Sequence, residues 1–255
     1  MTQSDITAIS TALSGKTALI TGGGVRLGRA AALGLASHGA DLVLHYNTSG
    51  AGALDAAGTI SKLGCKAWCI RADLGNAAAA EALLDSAISK AGAIDILINN
   101  ASIFPKNRLT DFSADDLSQN IQINAMAPLL LARSFASQQR EGVIINFLDT
   151  RITEYDRNHA AYHLSKRMLY SMTKMMALEF APRLRVNAVA PGLILPPPGA
   201  DEGYLERLAE AIPLKRSGNP NDVIEAVLFL VRSSFITGQV LFIDGGQHLN
   251  GSVYS

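Results

Sequence analysis

Seven short, apolar, β-prone runs alternate with longer helical stretches along this chain, and that alternation narrows its possible folds more than any other feature. The runs occupy residues 17–20, 42–44, 67–70, 94–98, 143–147, 186–190 and 240–243. Helices are expected over 30–37, 51–63, 77–91, 114–136, 159–180 and 222–231. Strands that alternate with helical crossovers pair in parallel, because each crossover returns the chain to the same end of the sheet. The runs are apolar throughout instead of alternating in and out, so both faces of the sheet should be covered. The expectation is a single α/β domain over 1–255 with a doubly wound, parallel, seven-stranded sheet. Pro196, Pro197 and Pro198 interrupt the pattern by removing backbone donors. A loop there, with a short helix over 205–212, reads as a lid spanning about 191–215.

Composition removes several function classes. Of 255 residues 48% are hydrophobic and 17% charged, which excludes a disordered chain. Lys and Arg number 22, as do Asp and Glu, so no net charge favours nucleic acid or an anionic membrane. Cys65 and Cys69 form neither a disulfide framework nor a four-ligand metal set, and no metal is expected. The start, with Asp5 and no basic residues, does not read as a secretion signal, and no apolar run approaches ~20 residues. A cytoplasmic location is the expectation.

After the first strand comes Thr21-Gly22-Gly23-Gly24-Val25-Arg26-Leu27-Gly28, then an alanine-rich helix. A strand, glycine loop and helix together aim backbone N–H groups and a positive helix end at one point, which suits a pyrophosphate. This is the Rossmann-type arrangement. The second strand ends in His45-Tyr46-Asn47-Thr48-Ser49, without the carboxylate that usually receives the ribose 2′-hydroxyl of NAD. A 2′-phosphate meets no repulsion there, so NADPH is the expected cofactor. Arg26 adds positive charge nearby.

Tyr162 and Lys166 stand four apart on a helix and share a face. That face points away from an expected apolar stripe of Leu164, Met168, Met172 and Met175. A free tyrosine has a pKa near 10, and a lysine cation beside it should favour the phenolate and lower that value.

Together these motifs resemble the short-chain dehydrogenase/reductase family over essentially the whole chain. Residues 21–28 resemble its glycine signature. Asp73 matches the acid at the adenine, and Asn99-Asn100-Ala101 its asparagine motif, with Ser102 replacing a glycine. Asn124 matches the active-site asparagine, Tyr162 to Lys166 the YxxxK motif, and Pro191-Gly192 the turn beside the nicotinamide. Leu27 and Leu74 fall beside these cofactor positions, and Leu193 on the substrate side. Two departures, Arg26 for a glycine and Asp149 for the usual catalytic serine, resemble the pteridine reductases. The C-terminal third, with Ile236-Thr237-Gly238 and Asp244-Gly245-Gly246, resembles the bacterial dihydromonapterin reductases.

The resemblance implies NADPH-dependent reduction of a dihydropterin, with Asp149, Tyr162, Lys166 and Asn124 as catalytic residues. It also implies a homodimer or homotetramer paired through the helices that carry Asn124 and Tyr162. An ionised Asp149 can only accept hydrogen bonds, so it disfavours a ketone and suits a ring edge bearing N–H groups. The bland alternative is that Asp149 caps or pairs with Arg151. Phe104 is expected to stack on the substrate ring, at about 0.5–1.5 kcal/mol beyond burial. Arg26 could meet the pyrophosphate or the pterin carbonyl, Ser102 should lie near both, and Asn124 should hold a water that links Lys166 to solvent. The competing reading is a carbonyl reductase of the same family. A non-catalytic NADPH sensor would need the glycine loop but neither Tyr162 nor Lys166.

Overall fold

The computed structural model describes residues 11–155, 157–197, 199–201 and 203–249. Pro198 and the first ten residues, with Asp5, lie outside these. The strands are β1 Thr17–Ile20, β2 Asp41–Tyr46, β3 Ala67–Arg71, β4 Ile96–Asn99, β5 Gly142–Phe147, β6 Leu184–Pro191 and β7 Val240–Ile243. They form one sheet in the order β3-β2-β1-β4-β5-β6-β7, and every pair is parallel. The helices are α1 Arg26–Ala36, α2 Gly50–Lys62, α3 Ala77–Ala91, α4 Ala114–Ile121, α5 Ala127–Ser137, α6 Ala160–Glu179, α7 Tyr204–Ala209 and α8 Pro220–Arg232.

Alternate residues of each strand go to opposite faces, and both faces are dry. Ala18, Ile20, Leu42, Leu44, Ile96 and Ile98 pack with α1, α2 and α8. Leu19, Val43, Leu97 and Ile144 pack with α3 and α5 on the other side. Among the described residues no helix is long and apolar enough to cross a membrane, and no cluster of side chains could hold a metal ion.

Several bounds shift by a few residues, α1 starting at Arg26 instead of 30 and α7 ending at Ala209 instead of 212, and two differences have a visible cause. The fourth strand begins at Ile96, not at 94, because Asp95 turns its carboxylate onto the Thr17 N–H at 3.0 Å and the Lys16 ammonium at 3.1 Å. The continuous helix expected over 114–136 is interrupted by a π-helical turn, Gln122–Met126. Pro128 lies at the start of α5 and lacks the N–H that would close an ordinary turn behind it. The widened turn carries Asn124 into the interior, fully buried.

Candidate active site

The strand order reverses at β1 and β4, where an open parallel sheet forms its binding crevice beyond the strand ends. A cavity of about 910 Å³ lies there. Gly22, Arg26, Leu27, Gly28, His45, Tyr46, Asn47, Thr48, Ser49, Asp73, Leu74, Asn100, Ala101, Ser102, Phe104, Asp149, Tyr162, Lys166, Pro191, Gly192 and Leu193 line it. Of the site residues expected from the sequence, Asn124 alone does not.

The cofactor end is built mostly from backbone. The Thr21 hydroxyl receives the N–H groups of Asn100 and Ala101, each at 3.0 Å, while the Asn100 amide donates to the Thr21 carbonyl at 2.9 Å. The glycine loop is thereby fastened to the end of β4. A Cβ on Gly28 would come within 2.1 Å of the Gly22 carbonyl oxygen, so only glycine lets α1 start this close to the loop. Val25 caps α1 with no side-chain bond, so no side chain competes with an anion at the helix start. His45 is buried. Its Nδ1 accepts from the Gly22 N–H at 3.2 Å and its Nε2–H donates to the Ala72 carbonyl at 3.1 Å. Burial holds its pKa below the usual value. It therefore shapes the loop as a neutral ring. Asp73 accepts from the Gly75 N–H at 2.9 Å and from the Asn47 amide at 3.2 Å, and the Leu74 carbonyl accepts from Gln122. These features fit a dinucleotide pyrophosphate.

Arg26 has φ +50°, in the left-handed region, as a side chain at a usual glycine position demands. Its guanidinium does not turn to the loop. It donates to the Pro196 carbonyl at 3.0 Å, which joins the glycine loop to the segment after β6.

At the reactive end the Tyr162 hydroxyl donates to Asp149 Oδ2 at 2.8 Å. Asp149 Oδ1 accepts the Arg151 N–H at 2.8 Å, so capping and pairing with Tyr162 coexist. Lys166 donates to the Phe147 carbonyl at 2.7 Å, with its nitrogen 5.7 Å from the Tyr162 ring centre. Burial lowers the Lys166 pKa to about 8, against an opposing pull from Asp149. The expectation that Lys166 lowers the Tyr162 pKa is corrected. Burial first, then the Asp149 charge and hydrogen bond, push Tyr162 well above its usual value, and only Arg151 opposes them.

The expected stripe on α6 holds only in part: Met168 and Met172 pack against the core, whereas Leu164 and Met175 are exposed. Tyr162, Ser165, Lys166 and Thr173 are buried beside Leu169 and Met176.

Asn124 makes side-chain hydrogen bonds at the helix bend. Its Oδ1 accepts from Ser102 Oγ at 3.0 Å and the Ile103 N–H at 2.9 Å. Its amide donates to the Ile103 carbonyl at 3.1 Å and Ser165 Oγ at 3.0 Å. The side chain is filled, and it ties the substrate loop to the π-helical turn. Ser102 thus points to Asn124. Phe104 stacks on His159 with ring centres 3.8 Å apart and meets Tyr162 edge-on at 4.5 Å. His159 takes one face of the ring, and the Arg151 guanidinium carbon lies over the ring 5.9 Å from its centre.

Sequence reasoning missed Asn107. Its carbonyl accepts the Ala160 N–H and its Oδ1 the Ala161 N–H, each at 3.1 Å. An amide 53 residues upstream of Ala160 carries no local capping signal.

The same layout occurs in known proteins. The chain matches, over residues 24–248, the family described as enoyl-(acyl carrier protein) reductase. It is 36% identical over 250 residues to an uncharacterised oxidoreductase of Mycobacterium tuberculosis, covering 92% of each chain. It is 29% identical to the L-rhamnose 1-dehydrogenase (NAD(P)(+)) of a Sphingomonas species, covering 93% of this chain and 98% of that one. Among solved structures, the FolM alternative dihydrofolate reductase 1 of Brucella canis, complexed with NADP, superposes with a TM-score of 0.88. It is 30% identical, with 94% of this chain and 96% of that one covered. The chain belongs to the short-chain dehydrogenase/reductase family of nicotinamide-dependent oxidoreductases.

Proposed function

We propose that this protein uses NADPH to reduce a 7,8-dihydropterin, of the dihydromonapterin, dihydrobiopterin or dihydrofolate type, to the tetrahydropterin. The reading is carried by the 2.8 Å hydrogen bond from Tyr162 to Asp149 in the cleft. A carboxylate accepts and never donates, so it repels the oxygen of a ketone and attracts the N–H edge of an aminopterin ring. The NADP-bound Brucella reductase named above supports the same substrate class.

Bound NADPH supplies the hydride, delivered to ring carbon C6. A proton then reaches N5 through a water or through Tyr162, whose hydroxyl must turn from Asp149 Oδ2 to the ring nitrogen. The raised pKa of Tyr162 keeps it protonated through neutral pH, and a reduced N5 is basic enough to take a proton from a weak acid. Asp149 aims the hydroxyl and receives ring N–H groups. Lys166, charged at neutral pH, is placed to hold the nicotinamide ribose, with Phe147 fixing its nitrogen. Tyr46, Thr48 and Ser49 present hydroxyls and no carboxylate to a 2′-phosphate, which favours NADPH. Residues 191–215 serve as a lid over the substrate, with Leu193, Tyr204, Leu208 and Ile212 facing the cleft. Association into a dimer or tetramer through α4, α5 and α6 belongs to the same reading, and α6 leaves Met175 and Leu178 exposed.

The test is steady-state turnover on the three dihydropterins, a 3-oxoacyl thioester and L-rhamnose, each with both nicotinamide cofactors. The expected result is pterin reduction with NADPH preferred by about tenfold, ~1.4 kcal/mol. Turnover confined to the thioester or the sugar would replace this reading with that of a carbonyl or sugar oxidoreductase.

A further inference from the structure

The turn after β7 takes no part in the reaction above, yet it holds a buried, heavily bonded carboxylate. The Asp244 side chain is 1% exposed. Its Oδ2 accepts from Thr150 Oγ1 at 2.5 Å, His248 Nδ1 at 2.8 Å and the His248 N–H at 2.9 Å, and its Oδ1 from the Gly246 N–H at 3.0 Å. Three donors converge on Oδ2 and one meets Oδ1. Burial alone would push its pKa up, but these donors hold it below the usual value. Its partners are not distributed at random. Thr150 directly follows Asp149 and is itself buried. Gly192 packs so closely that a Cβ there would lie 2.6 Å from the Asp244 Cβ. One residue after the last strand therefore meets two turns: its carboxylate bonds Thr150 in the turn that carries Asp149, and its Cα and Cβ pack against Gly192 on the other side of the cleft.

We propose that Asp244 is a positioning residue. Through the Thr150 hydroxyl it fixes the turn that aims Asp149 at Tyr162, and against Gly192 it sets the opposite wall of the cleft. The proposal rests on the reading of Asp149 and Tyr162 as the reacting pair. Without this anchor the Asp149 turn is held by bonds within itself, among them the Arg151 N–H to Oδ1 and the Ile152 N–H to the Asp149 carbonyl, and by the Leu148 N–H to the Val189 carbonyl before it, so the 2.8 Å contact with Tyr162 loses its tie to Asp244.

Thr150→Val removes the hydroxyl and keeps the shape, while Thr150→Ser restores the donor. Two quantities are read in the full-length enzyme. The first is kcat for pterin with the KM for NADPH. The second needs no substrate: ultraviolet titration of the Tyr162 phenolate, isolated by subtracting the same protein carrying Tyr162→Phe. Thr150→Val is expected to lower kcat about 100-fold, the cost of a misplacement near 1 Å, with the NADPH KM unchanged. In the same variant Tyr162 should titrate at lower pH, and Thr150→Ser should reverse both effects. Asp244→Asn should act in the same direction and, combined with Thr150→Val, should not add to it. Wild-type turnover and wild-type Tyr162 titration in Thr150→Val would overturn the proposal. So would equal losses in the valine and serine variants, which mean packing alone. If no variant, nor the wild type, reduces any pterin while the phenolate still shifts in Thr150→Val alone, the positioning stands and the substrate reading fails.

Discussion

A phenol and a carboxylate held 2.8 Å apart in a buried place alter each other. The carboxylate makes loss of the phenol proton costly, so Tyr162 remains a donor where a lysine-activated tyrosine would share its proton with water. Asp149→Asn removes the charge and keeps the size. It is expected to lower kcat for pterin by about 100-fold or more, within the usual range for a lost acid–base partner. The dissociation constant for NADPH, followed by fluorescence titration, should not change. Full turnover in the asparagine variant would take Asp149 out of the mechanism. The sequence exposed Asp149 because it stands thirteen residues before Tyr162, where the resemblance leads one to expect a serine. It could not expose the direction of the Tyr162 shift. Spacing along a helix reports which side chains share a face, whereas the shift depends on depth and on which oxygen the lysine nitrogen meets. That oxygen is the Phe147 carbonyl, contributed by the end of a strand. Arg26 was legible as a departure but not as a bridge to Pro196, which lies 170 residues away.

Elements place these residues through contacts that local sequence does not encode. Helix α6 starts at Ala160, and its capping residue His159 contributes no side-chain bond. Asn107 supplies the cap from the loop after β4, and the same loop carries Phe104 onto His159. The start of α6 and the loop that carries Phe104 therefore form one unit. Asn107→Ala should cost about 1 kcal/mol of stability, the usual cost of a lost cap, and should raise the pterin KM by loosening Phe104. The Asn107 Nδ2 is buried without a hydrogen-bond partner, so Asn107→Asp keeps the acceptor and discards that group. The aspartate variant should match or exceed the wild type in urea midpoint and keep its KM. An aspartate variant as damaged as the alanine one would remove the capping account. Helix positions were largely legible from apolar periodicity, as with α3, whose bounds match the expected 77–91. The break at Gln122–Met126 was not, because a π-helical turn leaves the composition of a helix intact and shows itself only in which way Asn124 faces. The inner face of α6 escaped notice for a related reason. It mixes Tyr162, Ser165, Lys166 and Thr173 with Leu169 and Met176, and periodicity finds faces that are apolar throughout.

For the molecule as a whole, the parallel sheet follows from seven apolar runs and their crossovers, but its stability as a function of pH follows from two groups buried at its carboxyl edge. Lys166 has a folded pKa of about 8 against an ordinary 10.5. Below pH 8 both folded and unfolded chains carry the proton, and the fold bears the full cost of burying a cation. Between 8 and 10.5 the folded chain has released a proton that the unfolded chain retains, so stability rises with pH. At ~1.4 kcal/mol per pH unit the complete gain is about 3 kcal/mol. Tyr162 acts in the opposite sense. Its folded pKa lies above 10, so beyond that pH the unfolded chain ionises first and stability falls. Cys65 and Cys69, both raised by burial, also work against stability above pH 9. Comparison with Lys166→Met isolates the lysine, since the other groups are common to both proteins. In cofactor-free protein unfolded by urea, the methionine variant should be the more stable one at pH 7. That advantage should shrink steadily from pH 8 to 10 as the wild-type lysine becomes neutral. A gap that stays constant across this range would mean that Lys166 keeps its charge in the folded protein, and the burial argument for this lysine would fail.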